Sequence, residues 1–576
     1  MKRASLLLLL SFSAACGTKV QPADLVLRNG KIVTVDSTKP EAQALAARGD
    51  TIVAVGTNDE IQPYIGPATQ VIDLAGKLAV PGLTDAHGHF TSTGQAKMSV
   101  DVMNVRNWDE IIAKVGEAAK RAQPGEWIRG RGWHQEKWDV KPSPNVEGFP
   151  LHEALSKVTP NNPVILTHAS GHATIANAKA MELAGITRKT PDPPGGKIVK
   201  DAKGNPIGVF EDAASGLIHK AMAEALAKRT PEQVDADARR EVELAIQDCL
   251  MNGITEFHDA GSSFKTIDLF KKFADEGKMG LRLNVMIREG NEALTQQNLA
   301  AYKLIDYGNK HLTVHSIKKV MDGALGPRSA WFLEPYADLP TSTGLNTATI
   351  EDVTGTAKIA IENDFQLCVH AIGDRTNREV LNIYEAAFKA HPDKKDLRWR
   401  VEHAQHLAAS DIPRFGALGV IASMQGIHCT SDALYVLARL GTKRAEEGAY
   451  VWQKLMKSGA VICNGTDTPV EDVNPIACYY ASVSRKLKDG TVFYADQRMS
   501  RMEALKSYTW NAAYAAFQEG SRGSLVPGKL ADVTVLSKDI LIIPEDEIPT
   551  TVVNYTIVGG KVLYQRPPAG MASVRQ

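Results

Sequence analysis

The chain of 576 residues predicts an α/β protein: a (β/α)8 barrel, a composite β-sandwich from both chain ends and an inserted α+β subdomain. Three observations carry this. First, eight apolar runs read as strands, at 78–85, 254–259, 281–288, 314–321, 366–371, 399–404, 419–425 and 460–466. Amphipathic stretches such as 238–252, 264–277 and 351–363 fall between them. Strand–helix alternation implies parallel strands joined by crossovers, and eight of them suggest a closed barrel of the TIM type. Second, the first two runs lie about 170 residues apart, too far for one crossover helix, so a subdomain is inserted at 96–230. Third, both ends read as short strands broken by Gly and Asp. Leu25–Leu27, Lys31–Val35, Thr51–Val55 and Val71–Leu74 stand at one end; Ala531–Leu536, Val552–Val553 and Thr556–Tyr564 stand at the other. Neither set has enough apolar faces to close a core alone, so the two ends are expected to pair. The expected divisions are 25–79 and 521–576 for the sandwich, and 80–95 with 231–520 for the barrel.

The first residues stand apart. Met1-Lys2-Arg3 is a charged start, Leu6–Leu10 begin an apolar core, and Ser13-Ala14-Ala15-Cys16-Gly17 follows. This is a signal-peptide pattern, too short for a permanent spanning helix. Cysteine after small residues resembles a bacterial lipobox, with Ser13 where leucine is commoner. Cys16 is then the acylated first mature residue, 17–24 a tether, and the protein is lipid-anchored in the cell envelope, facing the periplasm. The competing reading is an ordinary signal cut elsewhere.

Apolar residues make up 44% and charged residues 23%, as in ordinary globular proteins. A net charge of +0 gives no electrostatic reason for a nucleic-acid partner. Cys249, Cys368, Cys429, Cys463 and Cys478 are widely spaced and contain no CxxC, so they form no disulfide framework.

The chemistry concentrates at strand ends. Val80–His89 is an apolar stretch closing on His87 and His89, whose i, i+2 spacing places both rings on one face of a strand. Two neutral imidazoles side by side are half of a zinc site. Active groups of such barrels lie at the C-terminal ends of strands. There the chain places Lys318 before Asp322, then His370, His403 and Asp467.

With those residues in place, the chain resembles the amidohydrolase superfamily, and within it amidohydrolase family 3, the YtcJ-like branch with N-substituted formamide deformylases. The marks are Pro81–His89, Gly171-His172, Asp322–Gly326, His370–Arg375, Glu402–Gln405, Asp467–Val470, Tyr508–Ala513 and Gly523–Asp532. The resemblance implies one or two divalent metals, zinc first. His87, His89 and Asp467 hold the more buried ion; His370 and His403 hold the second; Lys318 bridges them as a carboxylated lysine. Lys319 is the neighbour on the other face, and a surface or packing lysine is the plainer reading of Lys318. The implied reaction is hydrolysis of a non-peptide C–N bond in an amide, formamide or cyclic amide. Metal-activated water attacks, Asp467 moves the proton to the departing nitrogen, and His403 steadies the oxyanion. Deamination by the same site is the alternative within enzymes. An inactive, membrane-tethered binding protein is the alternative outside them.

His172, Asp374, Arg375, Gln425 and His428 are the expected substrate contacts. Asp374-Arg375 can clamp a substrate carboxylate or form a salt-bridged loop end. His134 and His168 read as satisfied polar groups of the insert, Glu211 as a helix cap before a pocket carboxylate, and Trp331 and Trp452 as core. The expected partners are a small amide-like substrate and, through Cys16, a membrane. A homo-oligomer stays open.

Overall fold

The structure is a computed structural model describing residues 20–568, apart from 104, 136–137, 169–172, 195, 298, 327 and the side chain of Asp212. The signal segment, Cys16 and His172 therefore lie outside the described residues. The chain divides into two compact units, Met1–Leu83 with Thr509–Gln576, and Thr84–Tyr508.

The first unit is the sandwich of both chain ends. One sheet runs in the order 51–56, 44–48, 25–28, 70–73. The other runs 561–565, 553–558, 533–536, 78–81, 31–33, 41–42. The join between chain ends is antiparallel, Val533 opposite Pro81 and Val535 opposite Ala79. Leu27, Leu45 and Ile72 of one sheet share a core with Ile32, Val533 and Ile557 of the other.

The second unit holds the barrel. Its strands are β1 (Leu83–Gly88), β2 (Ile254–Ser262), β3 (Arg282–Ile287), β4 (Leu312–Val320), β5 (Gln366–Ala371), β6 (Arg400–His403), β7 (Ile421–Met424) and β8 (Ile462–Asn464). They stand side by side in chain order. Each is nearly buried along its length, as strands covered on both faces must be. Beyond β8, Asp467 N–H donates to His87 O (2.7 Å) and Thr466 Oγ1 donates to Asp85 Oδ2 (2.6 Å), drawing the first and last strands together. Gly465 is required there: an added Cβ would lie 2.3 Å from His87 N.

The apolar run 78–85 is two strands. Leu78–Pro81 belongs to the sandwich, and β1 starts at Leu83. Pro81 has no N–H to extend a ladder, and Gly82 N–H still donates to Asp532 O of the sandwich at 2.9 Å, so the barrel strand starts only after it.

The insertion in the second unit carries a six-stranded mixed sheet in the order 196–200, 206–212, 173–176, 164–168, 128–133, 100–101. Alternation along 164–168 sends Val164 and Leu166 to one core and Ile165 to another. The helix Pro231–Met251 returns the chain to the barrel. Its start is a capping box of Thr230 and Gln233 with proline at the first turn.

Candidate metal centre

His87 and His89 leave the end of β1 with ring centroids 5.9 Å apart, and both Nε2 atoms face Asp467 Oδ1, at 3.6 and 3.3 Å. From β6, the His403 ring stands 4.6 Å from that of His87. From β5, the His370 ring stands 4.4 Å from that of His403. Among the described residues, ligand atoms of His87, His403 and Asp467 all lie within 4.8 Å of one another. His403 and Asp467 hold φ of 76° and 60°, a left-handed backbone costing about 1–3 kcal/mol per non-glycine residue. Such strain gathers where a side chain must be aimed.

A second ring of groups aims the first. His87 Nδ1 shares a short hydrogen bond with Glu402. His403 Nδ1 bonds Gln425 Oε1 at 2.7 Å. Both contacts accept from an Nδ1–H and so leave the Nε2 lone pairs pointing inward. Glu402 is itself held by Arg400, Nε to Oε1 at 2.7 Å. Arg400 also donates to Ala86 O and Ser423 Oγ, both at 2.7 Å.

The electrostatics agree with a metal-binding role. Burial, then the charge of Lys318, pushes His87 down to about 4. Burial, then the neighbouring His370 and His87, pushes His403 well below its ordinary value. Both rings are therefore neutral at pH 7, as ligands must be. Burial alone would raise Glu402 and Asp467. Arg400 and His87 outweigh it at Glu402; the imidazoles that face Asp467, His89 first and then His403 and His87, outweigh it there. Both carboxylates end well below the usual range and stay anionic.

The donor set fits a divalent ion of the zinc kind: several imidazole nitrogens and one carboxylate, converging on one point. Among the described residues, the buried His87 Nε2 and Asp467 Oδ1 have no hydrogen-bond partner, and a cation between them would satisfy both.

Lys318 and Lys319 part company. Lys319 leaves the barrel to pair with Asp352 at 3.0 Å on the helix Ile350–Glu362. Lys318 is buried inside, where burial lowers its ammonium to about 8 against the pull of Glu402 and Asp467. Asp322 ties loops together, accepting from the backbone N–H groups of Trp331, Ile372 and Gly373 and from Thr376. His370 Nε2 lies 3.4 Å from it.

The expected substrate contacts separate. His428 Nε2 is 3.8 Å from Asp467 Oδ2, and its Nδ1 accepts from Gln405 Nε2 at 2.9 Å. Gln425 is occupied in orienting His403. Asp374 accepts from Leu333 N–H at 2.8 Å, while Arg375 pairs with Glu379 at 2.8 Å and lies over Trp331. Both members of the proposed clamp are thus engaged within the chain. In the insertion, the His134 and His168 rings stand 4.5 Å apart, and Asn177 caps the helix Ala178–Leu183. Trp452 is fully buried under the Arg485 guanidinium.

Sequence reasoning did not assign roles to Glu402, Arg400 or Gln405. Glu402 and Gln405 flank His403 and its neighbour in one short motif, which was the available signal. Their pairing across strands was not.

A family model described as "Amidohydrolase family" matches residues 70–564. The protein LONG AFTER FAR-RED 3 of Arabidopsis thaliana is 35% identical over 94% of this chain and 92% of its own. An N-substituted formamide deformylase of Arthrobacter pascens is 28% identical over 95% of this chain and 99% of its own. A crystal structure of an uncharacterized metal-dependent hydrolase from Pyrococcus furiosus superposes with a TM-score of 0.70 at 25% identity, covering 90% of this chain and 100% of that one.

Proposed function

The chain belongs to the amidohydrolase family and is a metal-dependent hydrolase, and from that premise we propose that it hydrolyses a non-peptide C–N bond in an amide, formamide or cyclic amide. The observation carrying the proposal is the convergence of His87, His89, His403 and Asp467, with His87 aimed by Glu402 and His403 by Gln425. The deformylase relative supports the choice of bond.

A bound divalent metal supplies a water nucleophile at neutral pH and polarises the scissile carbonyl. The protein does the rest. Asp467, anionic and facing the histidines, takes the water's proton and returns it to the departing nitrogen. Glu402 and Gln425 keep His87 and His403 in one tautomer, so the cluster needs no reorganisation during reaction. His428, bonded at Nδ1 by Gln405, presents its Nε2–H beside Asp467 and can donate to the developing oxyanion. A second ion would take His370 and His403, with Lys318 bridging as a carbamate. From the signal-like segment at 1–16 we also propose that the enzyme is anchored in the bacterial cell envelope through Cys16; labelling with a radioactive fatty acid tests this, and no label on the full-length chain would overturn it.

The test of function is elemental analysis followed by an amine-release assay on N-substituted formamides, acetamides and lactams. Two equivalents of metal support the bridged site, and one retires Lys318 as a bridge. Asp467→Asn should lower kcat by about 10²- to 10⁴-fold. Absence of metal after reconstitution with zinc, or ammonia release from aminated heterocycles in place of amide hydrolysis, would overturn the proposal.

A further inference from the structure

Past the last residue of β3, the ladder continues for one step. Arg288 N–H donates to Ser262 O at 2.9 Å. Ile287 stands opposite Ile317 on β4, so one residue on, Arg288 stands level with Lys318. Side chains level with one another on neighbouring strands share a face. Lys318 is on the inner face, two residues before the position level with His370. The register thus carries Arg288 over the mouth of the barrel.

Gly261 directs its stem. This glycine has φ +132°, and an added Cβ would lie 2.7 Å from Arg288 Cδ and 2.8 Å from Arg288 Cβ. The aliphatic part of Arg288 therefore lies against bare backbone. The guanidinium beyond it is exposed and, among the described residues, has no carboxylate partner.

Several other arginines of this unit are paired within the chain. Arg375 pairs with Glu379, Arg378 with Asp411, and Arg328 and Arg439 share Asp338. Glu289, next in sequence to Arg288, accepts from Phe264 N–H at 3.1 Å. Asp259 accepts from Phe90 N–H at 3.0 Å and from Ser262 Oγ at 2.5 Å. The charge of Arg288 is felt at both Lys318 and Asp259, so it acts on the site.

We propose that Arg288 is the anchor for an anionic group on the substrate, so that the amide hydrolysed here carries a carboxylate beside its scissile bond. A planar guanidinium pairs with a carboxylate through two parallel hydrogen bonds, which fixes orientation as well as adding affinity. The proposal rests on the hydrolase reading above and names its substrate class. It also moves the clamp from Arg375, which is engaged, to an arginine that is not.

The test uses the metal-loaded full chain and matched pairs of N-formyl and N-acetyl compounds, ω-formamido and ω-acetamido acids of graded length, each against its methyl ester. The acid of at least one pair should be preferred in kcat/KM by about tenfold or more, the range of a charge-assisted hydrogen bond at a part-exposed site. Arg288→Gln should abolish that preference, and Arg288→Lys should retain part of it. Both variants should keep the parent's metal content and melting temperature. Calorimetric titration of the same pairs separates the two layers of inference. Turnover with no acid preference would overturn the anchor and leave the hydrolase reading. Acid-selective binding that Arg288→Gln abolishes, without turnover, would support the anchor and overturn the C–N reading. Neither turnover nor selective binding would overturn both.

Discussion

Replacing Glu402 with Gln should weaken metal binding chiefly through His87, the ligand whose Nδ1 it holds. In the native protein Glu402 Oε2 accepts from His87 Nδ1–H and from Arg400 Nη2 at 3.1 Å, while its Oε1 forms an ion pair with Arg400 Nε at 2.7 Å. A glutamine has one acceptor and one donor end. With the carbonyl toward His87, the amide N–H₂ faces the guanidinium, donor against donor. With the N–H₂ toward His87, the ring must offer its Nδ1 lone pair, and the proton moves to Nε2, which faces Asp467. The first orientation gives up the ion pair with Arg400, and the second gives up the His87 tautomer. Substitutions of this outer kind lower metal affinity about 10- to 100-fold, or about 1.4–2.7 kcal/mol. Competition for zinc against a chromophoric chelator at neutral pH reads the change directly. Metal-free melting curves of both proteins show whether folding is altered as well. An affinity within twofold of the parent would refute the reasoning, since it would mean that the His87 tautomer is set by something other than Glu402.

The pH dependence of stability should carry the mark of His406. This ring is buried, has no hydrogen-bond partner at either nitrogen among the described residues, and is pushed to about 3, first by burial and then by Arg444. A depressed folded pKa means stability present above the unfolded value near 6.5 and lost as pH falls toward 3; the shift is worth about 5 kcal/mol if fully expressed. His406→Phe, packing against Phe332 and Tyr450, should flatten the acid limb in urea unfolding from pH 7 to 4; an unchanged limb would exclude His406 as its source. Arg400→Met should destabilise by about 3–5 kcal/mol by stranding Glu402, and adding Glu402→Leu should recover much of it without restoring metal affinity; chemical denaturation of the single and double variants checks both. Arg375→Ala should leave kcat/KM within about twofold, as for other surface substitutions, because its partners are Glu379 and Trp331; a larger loss would return it to the substrate site.

Much of this architecture is legible because parallel barrel strands are buried on both faces and read as continuous apolar runs. The ends of those runs are where polar residues reappear, so His87, His89, His370, His403 and Asp467 stand out against their surroundings. Other features leave weaker traces. The strand at 44–48 is Ala-Leu-Ala-Ala-Arg, buried at four of five positions but poor in β-branched residues, and nothing local marks it as a strand. The break inside 78–85 depends on which sheet each half joins, a long-range fact. Asp374 and Arg375 carry the right chemistry for a clamp, but their engagement with Leu333 N–H, Glu379 and Trp331 is decided by how a loop folds back. Choosing Lys318 over Lys319 needs only the pleat, once Asp352 is seen to hold the outer one.

Part of the cost borne by this fold falls at the metal site. Two non-glycine residues with left-handed backbone are metal-site residues, and a fully buried arginine–glutamate pair lies directly beneath them. A buried pair of that kind is not, by itself, a source of stability; an apolar pair of the same volume would often serve folding as well. What an apolar pair cannot do is accept the His87 proton. The chain of contacts therefore runs in one direction. Arg400 keeps Glu402 anionic, Glu402 keeps the proton of His87 on Nδ1, and His87 keeps a lone pair aimed at the point that Asp467 also faces. Stability that an apolar core would have given is exchanged for one protonation pattern. The recovery of folding without recovery of metal affinity in the Arg400→Met, Glu402→Leu double variant is the result that separates these two roles.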